Sequence, residues 1–256
     1  MAILKEFKKD KLTVKIMDNR DTMGAVCAHD AAKLIRELLS EKEEINVIFA
    51  AAPSQNETLS HLIDEKDIDW TRVNAFHMDE YIGLPKDAPQ GFGNFLNEHI
   101  FKHLPFKSVN YLAPDINDPE GSCERYSRLL RKFPTDIVMM GIGENGHIAF
   151  NDPPVADFND AKLVKIVELD PVCRKQQVND GCFASLDLVP THALTLTVPA
   201  LTCAKALFCT VPAPTKAKAV YDTVNNPVCN EQCPATVMRL HDNATMYLEP
   251  DSASML

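Results

Sequence analysis

The sequence predicts an α/β protein with a largely parallel sheet and helices on both faces. Short apolar runs, such as Val-Ile-Phe-Ala at residues 47–50 and Ile-Val-Met-Met at residues 137–140, alternate with amphipathic segments. Continuously apolar runs are typical of strands covered on both faces, and their alternation with helices favours parallel βαβ units. The 256 residues contain no fixed-period repeat or Gly/Ser linker. We therefore expect one domain over residues 1–256.

The predicted elements follow in chain order. Segments with the composition of strands are 12–16, 45–50, 73–78, 109–112, 136–141, 163–169, 193–198, 205–211 and 245–248. Segments with helical periodicity are 22–40, 57–63, 91–101, 120–132 and 214–224. In the first of these helices, Ala25, Ala32, Ile35 and Leu38 form one apolar stripe. Ligands bind beyond the carboxyl ends of strands in open parallel sheets, so the loops that follow strands are where we expect a site.

Composition and charge restrict the partners. The chain has 45% hydrophobic residues, and 36 acidic against 26 basic residues give a net charge of −10. This field disfavours nucleic acid and anionic lipid as partners but permits a small phosphorylated substrate held by local cations. No apolar run approaches roughly 18 residues, and residues 1–11 are basic without an apolar signal core. We expect neither membrane insertion nor export. Eight scattered cysteines indicate reduced thiols and the cytoplasm.

The loop at residues 51–58 follows a predicted strand and leads into a helix. It contains Pro53, Ser54 and Gln55. A serine at a helix start is either a plain N-cap or part of an anion site made of free backbone N–H groups. Ser54 and Gln55 are therefore candidate phosphate-binding residues.

The loop at residues 79–85 begins with two carboxylates, Asp79 and Glu80. At the carboxyl end of a buried strand, adjacent carboxylates that face inward would have raised pKa values, which suits a general base. The alternative is that Glu80 is solvated and Asp79 caps a turn.

The loop at residues 141–154 follows the strand at 136–141. Its first six residues, Gly-Ile-Gly-Glu-Asn-Gly, match the dinucleotide fingerprint. We reject that interpretation because Asn-Asp-Pro-Pro at 151–154 ends any helix almost at once. His147 instead has Glu144, Asn145 and Asp152 as nearby partners that can fix its tautomer, and we interpret it as a catalytic acid/base.

Other polar residues have weaker patterns. Arg174, at the start of the polar stretch Arg-Lys-Gln-Gln, and Lys216, at the start of a helix, are each more often plain surface residues, but as a pair near strand ends they form a candidate phosphate clamp. Cys229, Cys233 and His241 are too few ligands at zinc spacing, so we expect no metal. The chain has no G-x-S-x-G nucleophile motif.

Two segments identify a family resemblance. The sequences Phe-His-Met-Asp-Glu-Tyr-Ile-Gly-Leu-Pro at 76–85 and Gly-Ile-Gly-Glu-Asn-Gly-His-Ile-Ala-Phe-Asn-Asp-Pro at 141–153 resemble the signature loops of glucosamine-6-phosphate deaminases. The 6-phosphogluconolactonases share that fold. The resemblance implies a Rossmann-like fold and the conversion of an amino-sugar 6-phosphate to a ketose 6-phosphate and ammonia, without metal or organic cofactor. Homo-oligomers are common among such relatives.

The resemblance also implies roles for individual residues. Asp79 is the base that moves a proton from C2 to C1, His147 assists opening of the sugar ring, and Asp152 pairs with that histidine. Lys216 and Ser54 match phosphate-binding positions. Further substrate contacts are expected from Gln55, Glu80 and Gly146.

Some positions depart from the family pattern. Asn145 stands where an aspartate orients the histidine, a task that Glu144 beside it is expected to share. Arg174 lies three residues before the position of an active-site arginine, and Gln177 lies at that position. Residues 155–160 lack the Ser and Arg of the family's allosteric site.

Two other functions remain open. A lactonase would use a similar histidine but is expected to have Thr where this chain has Ile148. A non-catalytic sugar-phosphate sensor is disfavoured because both acid/base candidates, Asp79 and His147, are present.

Overall fold

The computed structural model describes residues 2–256 and contains two β-sheets. The strands are β1 Ile3–Lys9, β2 Leu12–Met17, β3 Ile45–Phe49, β4 Val73–His77, β5 Asp79–Tyr81, β6 Ser108–Asn110, β7 Ile137–Met140, β8 Val164–Glu168, β9 His192–Leu196, β10 Ala206–Val211 and β11 Ala244–Leu248. The helices are α1 Arg20–Glu41, α2 Asn56–Asp64, α3 Phe92–Leu96, α4 Pro119–Lys132, α5 Pro171–Asn179, α6 Val198–Thr202 and α7 Ala217–Asn225. Within the described residues, no helix is long and apolar enough to cross a membrane.

The larger sheet has eight strands in the order β1-β2-β11-β10-β7-β3-β4-β6. All neighbouring strands are parallel except β1, which pairs antiparallel with β2. The smaller sheet is antiparallel, in the order β5-β9-β8. The predicted α/β fold with a mostly parallel central sheet is confirmed. The segments predicted as strands at 163–169 and 193–198 belong to the smaller sheet.

Side chains of the central strands alternate between two apolar cores. Ile48 and Val138 pack into one core with residues of α4, α6 and α7. Val47 and Ile137, their chain neighbours, pack into the other core with residues of α1, α2 and α3. Every residue of β3 and β7 is buried. Strands covered on both faces are mostly apolar, which explains the apolar runs at 47–50 and 137–140; the buried amide of Asn46 in β3 is hydrogen-bonded to Pro134 and Asn74.

An N-cap and a close contact with α2 hold the first turn of α1 in place. The side chain of Asn19 accepts a hydrogen bond from the backbone N–H of Thr22 and so caps α1. Gly24 lies against the start of α2, where a Cβ would come within 2.5 Å of the Cβ of Glu57. The first turns of α1 and α2 are therefore held side by side.

Five elements differ from the prediction. β1 mixes Lys and Glu with apolar residues at an exposed sheet edge, so it lacks the continuous apolar run that predicts a strand. β5 lies in the segment 79–85, which the sequence predicts as a loop. α5 contains the polar sequence Arg-Lys-Gln-Gln, and α6 has only five residues. The helix predicted at 91–101 is α3 followed by a π-helical turn at Asn97–Phe101.

Candidate active site

A cavity lies at the carboxyl ends of β3, β4, β7 and β10, where the sheet topology predicts it. The cavity has a volume of about 120 Å³. Asp79, His147 and Lys216 all line it, although they come from three distant parts of the chain. Asp79 follows β4, His147 follows β7 and Lys216 follows β10. Because the carboxyl ends of these parallel strands lie at one edge of the sheet, the sheet brings the three side chains together.

Asp79 is held in place through its backbone and is 7% exposed. Its carbonyl oxygen accepts a hydrogen bond from Nδ1 of His77 at 3.0 Å, while Nε2 of His77 accepts from the backbone N–H of Leu112 at 2.9 Å. Burial lowers the pKa of His77 to about 4, so this ring stays neutral at pH 7 and keeps that tautomer.

The carboxylate of Asp79 faces the cavity, and no residue in 2–256 forms a hydrogen bond with it. Burial, and then the charge of Glu80, raise the pKa of Asp79 well above the ordinary value. A carboxylate that is costly to ionise accepts protons readily. Asp79 therefore has the properties of a general base.

Glu80, which the sequence predicts as a substrate-binding residue, does not line the cavity. Its carboxylate accepts hydrogen bonds from the backbone N–H groups of Tyr81, Phe92 and Gly93 at 2.9–3.0 Å. Two of these donors belong to the start of α3, so Glu80 caps that helix. Burial raises its pKa, and the three N–H groups oppose the rise.

The imidazole of His147 rests on Gly143. A Cβ at Gly143 would lie 2.1 Å from Cε1 of the ring, so only glycine leaves room for it. Nδ1 of His147 lies 2.8 Å from Oδ1 of Asn145 and 2.9 Å from Oδ1 of Asp152. With two oxygen acceptors beside it, Nδ1 carries the proton, and Nε2 is left as the acceptor. The ring is thus set to take or return a proton at Nε2.

Asn145 and Asp152 do not line the cavity but orient the ring of His147 from behind. Nδ2 of Asn145 donates to Oδ1 of Asp152 at 2.8 Å, and its Oδ1 also accepts from the backbone N–H of His147. Burial acts to raise the pKa of Asp152, but the neighbouring His147 and the hydrogen bonds around the carboxylate outweigh burial and lower it. Asp152 is therefore ionised at neutral pH and acts as an acceptor beside Nδ1 of the ring.

Glu144 and Gly146 shape this loop rather than face the cavity. The backbone N–H of Glu144 donates to Oε1 of Gln176 at 2.9 Å, and the carboxylate of Glu144 does not reach His147 by a hydrogen bond in the described chain. Gly146 has φ +79° and lies against Cys233, where a Cβ would be 2.7 Å from Sγ. In the structure both residues contribute to the conformation of the loop, and the roles predicted for Glu144 on the histidine and for Gly146 on substrate stay predictions.

Two helix starts border the cavity. A 3-10 turn at Pro53–Gln55 leads into α2, and another at Pro214–Lys216 leads into α7. Ser54 lies in the first turn and Lys216 in the second, and both line the cavity. Gln55 connects the first turn to β10, because its Oε1 accepts a hydrogen bond from Oγ1 of Thr210 at 3.1 Å and its Nε2 donates to Oγ of Ser54. Helix starts with free N–H groups bind anions.

Lys216 is 5% exposed, and no carboxylate within residues 2–256 forms an ion pair with its amine. Burial lowers its pKa, while Asp180 and Glu144 nearby oppose the decrease. A buried ammonium without an ion-pair partner favours an anionic ligand.

Arg20 lines the same end of the cavity and was not identified from the sequence. Its Nη2 donates to the carbonyl oxygen of Pro53 at 2.6 Å, and its Nε lies 2.8 Å from Oε1 of Glu57. No motif marks this arginine, because it lies at the start of α1, more than 30 residues before the loop that it contacts.

The α5 region supplies cavity residues in a different pattern from the one predicted. Arg174, predicted to bind substrate, does not line the cavity, and its Nη2 donates to the carbonyl oxygens of Leu186 and Val189 at 2.8 Å. Gln177 lines the cavity as predicted. Gln176 and Asp180 also line it, joined by a hydrogen bond of 3.2 Å. Helical spacing explains this, since positions three and four apart share a face.

The described residues contain one group with ligand atoms close enough to hold a metal ion: His147, Asp152 and Cys173. Cys229, Cys233 and His241 are not brought together in this way.

A parallel sheet with a buried carboxylate and an oriented imidazole in one cavity defines an α/β enzyme with an acid–base site. The chain belongs to the family described as glucosamine-6-phosphate isomerases/6-phosphogluconolactonase, which matches residues 18–247.

Curated relatives cover most of the chain. It is 32% identical over 223 residues to a glucosamine-6-phosphate deaminase of Bacillus cereus strain B4264, covering 87% of this chain and 82% of the relative. The identity and coverage are the same for a glucosamine-6-phosphate deaminase of Bacillus thuringiensis strain Al Hakam.

Solved structures are similar over nearly the whole chain. A monomeric glucosamine-6-phosphate deaminase superposes with TM-score 0.83 at 27% identity, covering 95% of this chain and 99% of that one. A 6-phosphogluconolactonase of Thermotoga maritima has TM-score 0.73 at 22% identity, covering 93% and 100%. The latter similarity establishes the fold alone.

Proposed function

We propose that the protein converts glucosamine 6-phosphate, or its C4 epimer, and water to a ketose 6-phosphate and ammonia. The observation that carries this proposal is that Asp79, with a raised pKa, shares one cavity with the oriented imidazole of His147 and the buried amine of Lys216. The relatives named glucosamine-6-phosphate deaminase support the same reaction.

The chemistry requires two separate acid/base groups. The C2 proton is acidic only when the sugar ring is open and C1 is an aldehyde, so His147 first moves a proton between the C1 hydroxyl and the ring oxygen. Asp79 then takes the C2 proton while the aldehyde oxygen gains a proton, giving an enolamine. Return of the first proton at C1 and loss of one proton from the nitrogen, which replaces the one taken up by the C1 oxygen, leave a C1 alcohol and an imine at C2. Water adds to that imine and ammonia leaves, giving the C2 ketone. Carbon, nitrogen and protons balance without an oxidant.

The phosphate group fits the end of the cavity formed by Arg20, Ser54 and Lys216. A dianion placed there would meet the ammonium of Lys216, the guanidinium of Arg20 and the free N–H groups of two helix starts. Binding energy at this remote group positions C1 and C2 for the reacting side chains. The site therefore favours a sugar with a terminal phosphate over a free sugar.

The first experiment offers glucosamine 6-phosphate, galactosamine 6-phosphate and 6-phosphogluconolactone to the purified protein, with ammonia, ketose phosphate and acid measured separately. We expect ammonia and ketose phosphate in equal amounts from at least one amine. Acid from the lactone with no ammonia from either amine would replace the proposal with a lactonase. Binding without any product would indicate a sensor.

Asp79→Asn tests the base. This variant should lose turnover while binding of the phosphosugar changes by only a few fold, because its side chain keeps the same shape. Asp87→Asn, at an exposed position in the following loop, is the matched control and should remain active. An active Asp79→Asn variant would exclude Asp79 as the base.

Arg20→Gln tests the phosphate end. Loss of one charge-assisted contact should raise KM about tenfold with kcat nearly unchanged. Arg36→Gln, which removes an arginine of the same helix paired with Glu65, is the control and should leave KM unchanged. An unchanged KM in Arg20→Gln would exclude Arg20 from substrate binding.

We also propose the cytoplasm as the compartment and the breakdown of amino sugars as the setting. All eight cysteines are free thiols, which supports a reducing environment.

A further inference from the structure

Three side chains at the wall of the cavity, of which only His147 lines it, have the ligand atoms of a transition-metal site. A ring nitrogen of His147, a carboxylate oxygen of Asp152 and Sγ of Cys173 all lie within 4.8 Å of one another. Cys173 is fully buried, and Asp152 is 1% exposed. Cys173 lies in the first turn of α5, and the other two residues belong to the loop after β7, so the cluster joins two elements.

Asp152 has an oxygen with no partner. Oδ1 accepts from Asn145 and lies 2.9 Å from Nδ1 of His147, whereas Oδ2 is buried and forms no well-aligned hydrogen bond within residues 2–256; the thiol of Cys173, a weak donor, lies beside this carboxylate. An unpartnered carboxylate oxygen in a closed site is unfavourable. A cation between Oδ2, the thiol and the imidazole would supply the missing interaction.

We propose that His147, Asp152 and Cys173 bind a borderline-soft divalent cation such as Zn²⁺. One nitrogen, one carboxylate oxygen and one sulfur are a donor set that Zn²⁺ and Co²⁺ prefer, whereas Mg²⁺ and Ca²⁺ prefer oxygen alone. Three protein ligands leave a fourth position for water, as in open zinc sites.

The charges and protons of the binding step balance. The thiol of Cys173 loses its proton to solvent and binds as thiolate, and Asp152 binds as carboxylate. The proton on Nδ1 of His147 is replaced by the metal, while Nε2 takes up a proton, so the ring stays neutral. Two negative ligands neutralise Zn²⁺, which removes the main cost of placing the ion in a buried site. One proton is released for each ion bound.

Binding would stop the ring-opening step, a consequence that rests on the proposed function. With Nδ1 on the metal and a proton on Nε2, the imidazole of His147 no longer accepts a proton from substrate. Asp79 and the phosphate end are not part of the cluster. Zn²⁺ should therefore lower kcat while a linear hexitol 6-phosphate, which has no ring to open, binds as before.

Co²⁺ replaces Zn²⁺ as a visible probe in the test. The parent protein should show a thiolate-to-cobalt absorption band that saturates at one ion per chain, and Zn²⁺ should remove it. Cys173→Ser should weaken Co²⁺ binding by at least about tenfold, since even partners outside the ligand shell change metal affinity by about 10–100-fold. Cys203→Ser, at an exposed thiol, is the matched control and should keep the band.

Asp152→Asn provides a second test that does not depend on folding of the Cys173 variant, and it should weaken Co²⁺ binding to a similar degree. Absence of the band in the parent, or parent-like binding in Cys173→Ser, would overturn the proposed metal site. The spectrum requires no turnover. An inactive protein that shows the band would contradict the proposed function but not the metal site.

Discussion

Adding one methyl group at Gly143 tests whether the imidazole of His147 must lie where the structure places it. The backbone of Gly143 is not in the left-handed region, so alanine fits its conformation. The new Cβ would lie 2.1 Å from Cε1, 2.3 Å from Nδ1 and 2.4 Å from Nε2 of His147. Ordinary contact begins near 3.4 Å, so the ring must move by more than about 1 Å.

The size of the effect follows from that displacement. A reacting group misplaced by about 1 Å loses about 100-fold in rate, which corresponds to about 3 kcal/mol in the barrier. The hydrogen bonds of Nδ1 to Asn145 and Asp152 would be lost or lengthened as well. Gly143→Ala should therefore lower kcat about 100-fold and destabilise the fold by about 1–3 kcal/mol through overpacking.

Rates of ammonia release and thermal unfolding measure the two effects separately. Gly83→Ala is the matched control, because Gly83 has φ +95° and the nearest atom to a new Cβ is 3.9 Å away. That variant should lose about 1 kcal/mol of stability from backbone strain and keep its activity. A Gly143→Ala enzyme with kcat within twofold of the parent would refute the position assigned to the ring.

Three other changes have expected outcomes. Since the folded-state pKa of Asp79 is raised by burial and by Glu80, its contribution to stability is present below the unfolded pKa of about 4 and is lost as pH rises through the folded pKa. Asp79→Asn should therefore melt higher than the parent at pH 8, and the gap should close toward about pH 4 in thermal scans. Because a general base must be ionised to act, kcat/KM should fall as pH drops through the raised pKa of Asp79. A kcat/KM profile that stays flat down to about pH 4 would contradict the role of Asp79 as the base. Tyr126→Phe should cost about 1–3 kcal/mol in urea unfolding, because its hydroxyl accepts from the backbone N–H of His77 and donates to the carbonyl oxygen of that residue.

The sequence predicts the interior of the sheet well because burial on both faces requires apolar residues throughout. β3 and β7 are recognisable for that reason. The edge strand β1 is exposed, and its Lys and Glu residues hide its strand character. α5 carries a weak apolar stripe, so its polar residues resemble a loop.

Some residues of the site can likewise be predicted from the sequence, and others cannot. Asp79 and His147 follow strands of the sheet, and the carboxyl ends of parallel strands meet, so their convergence is predictable. Glu80 was assigned to substrate because it adjoins Asp79, but alternation along β5 turns its side chain toward the start of α3. Arg20 and Asp180 reach the cavity only through helix packing, which no local pattern encodes.

The most direct measurement follows the hydrogen at C2 of the substrate. Glucosamine 6-phosphate carrying deuterium at C2 is mixed with the parent protein or with Asp79→Asn, and the label is followed by NMR. The parent should remove the deuteron from C2, and Asp79→Asn should bind the compound and leave it in place. Removal of the deuteron by Asp79→Asn at the parent rate would show that another group is the base.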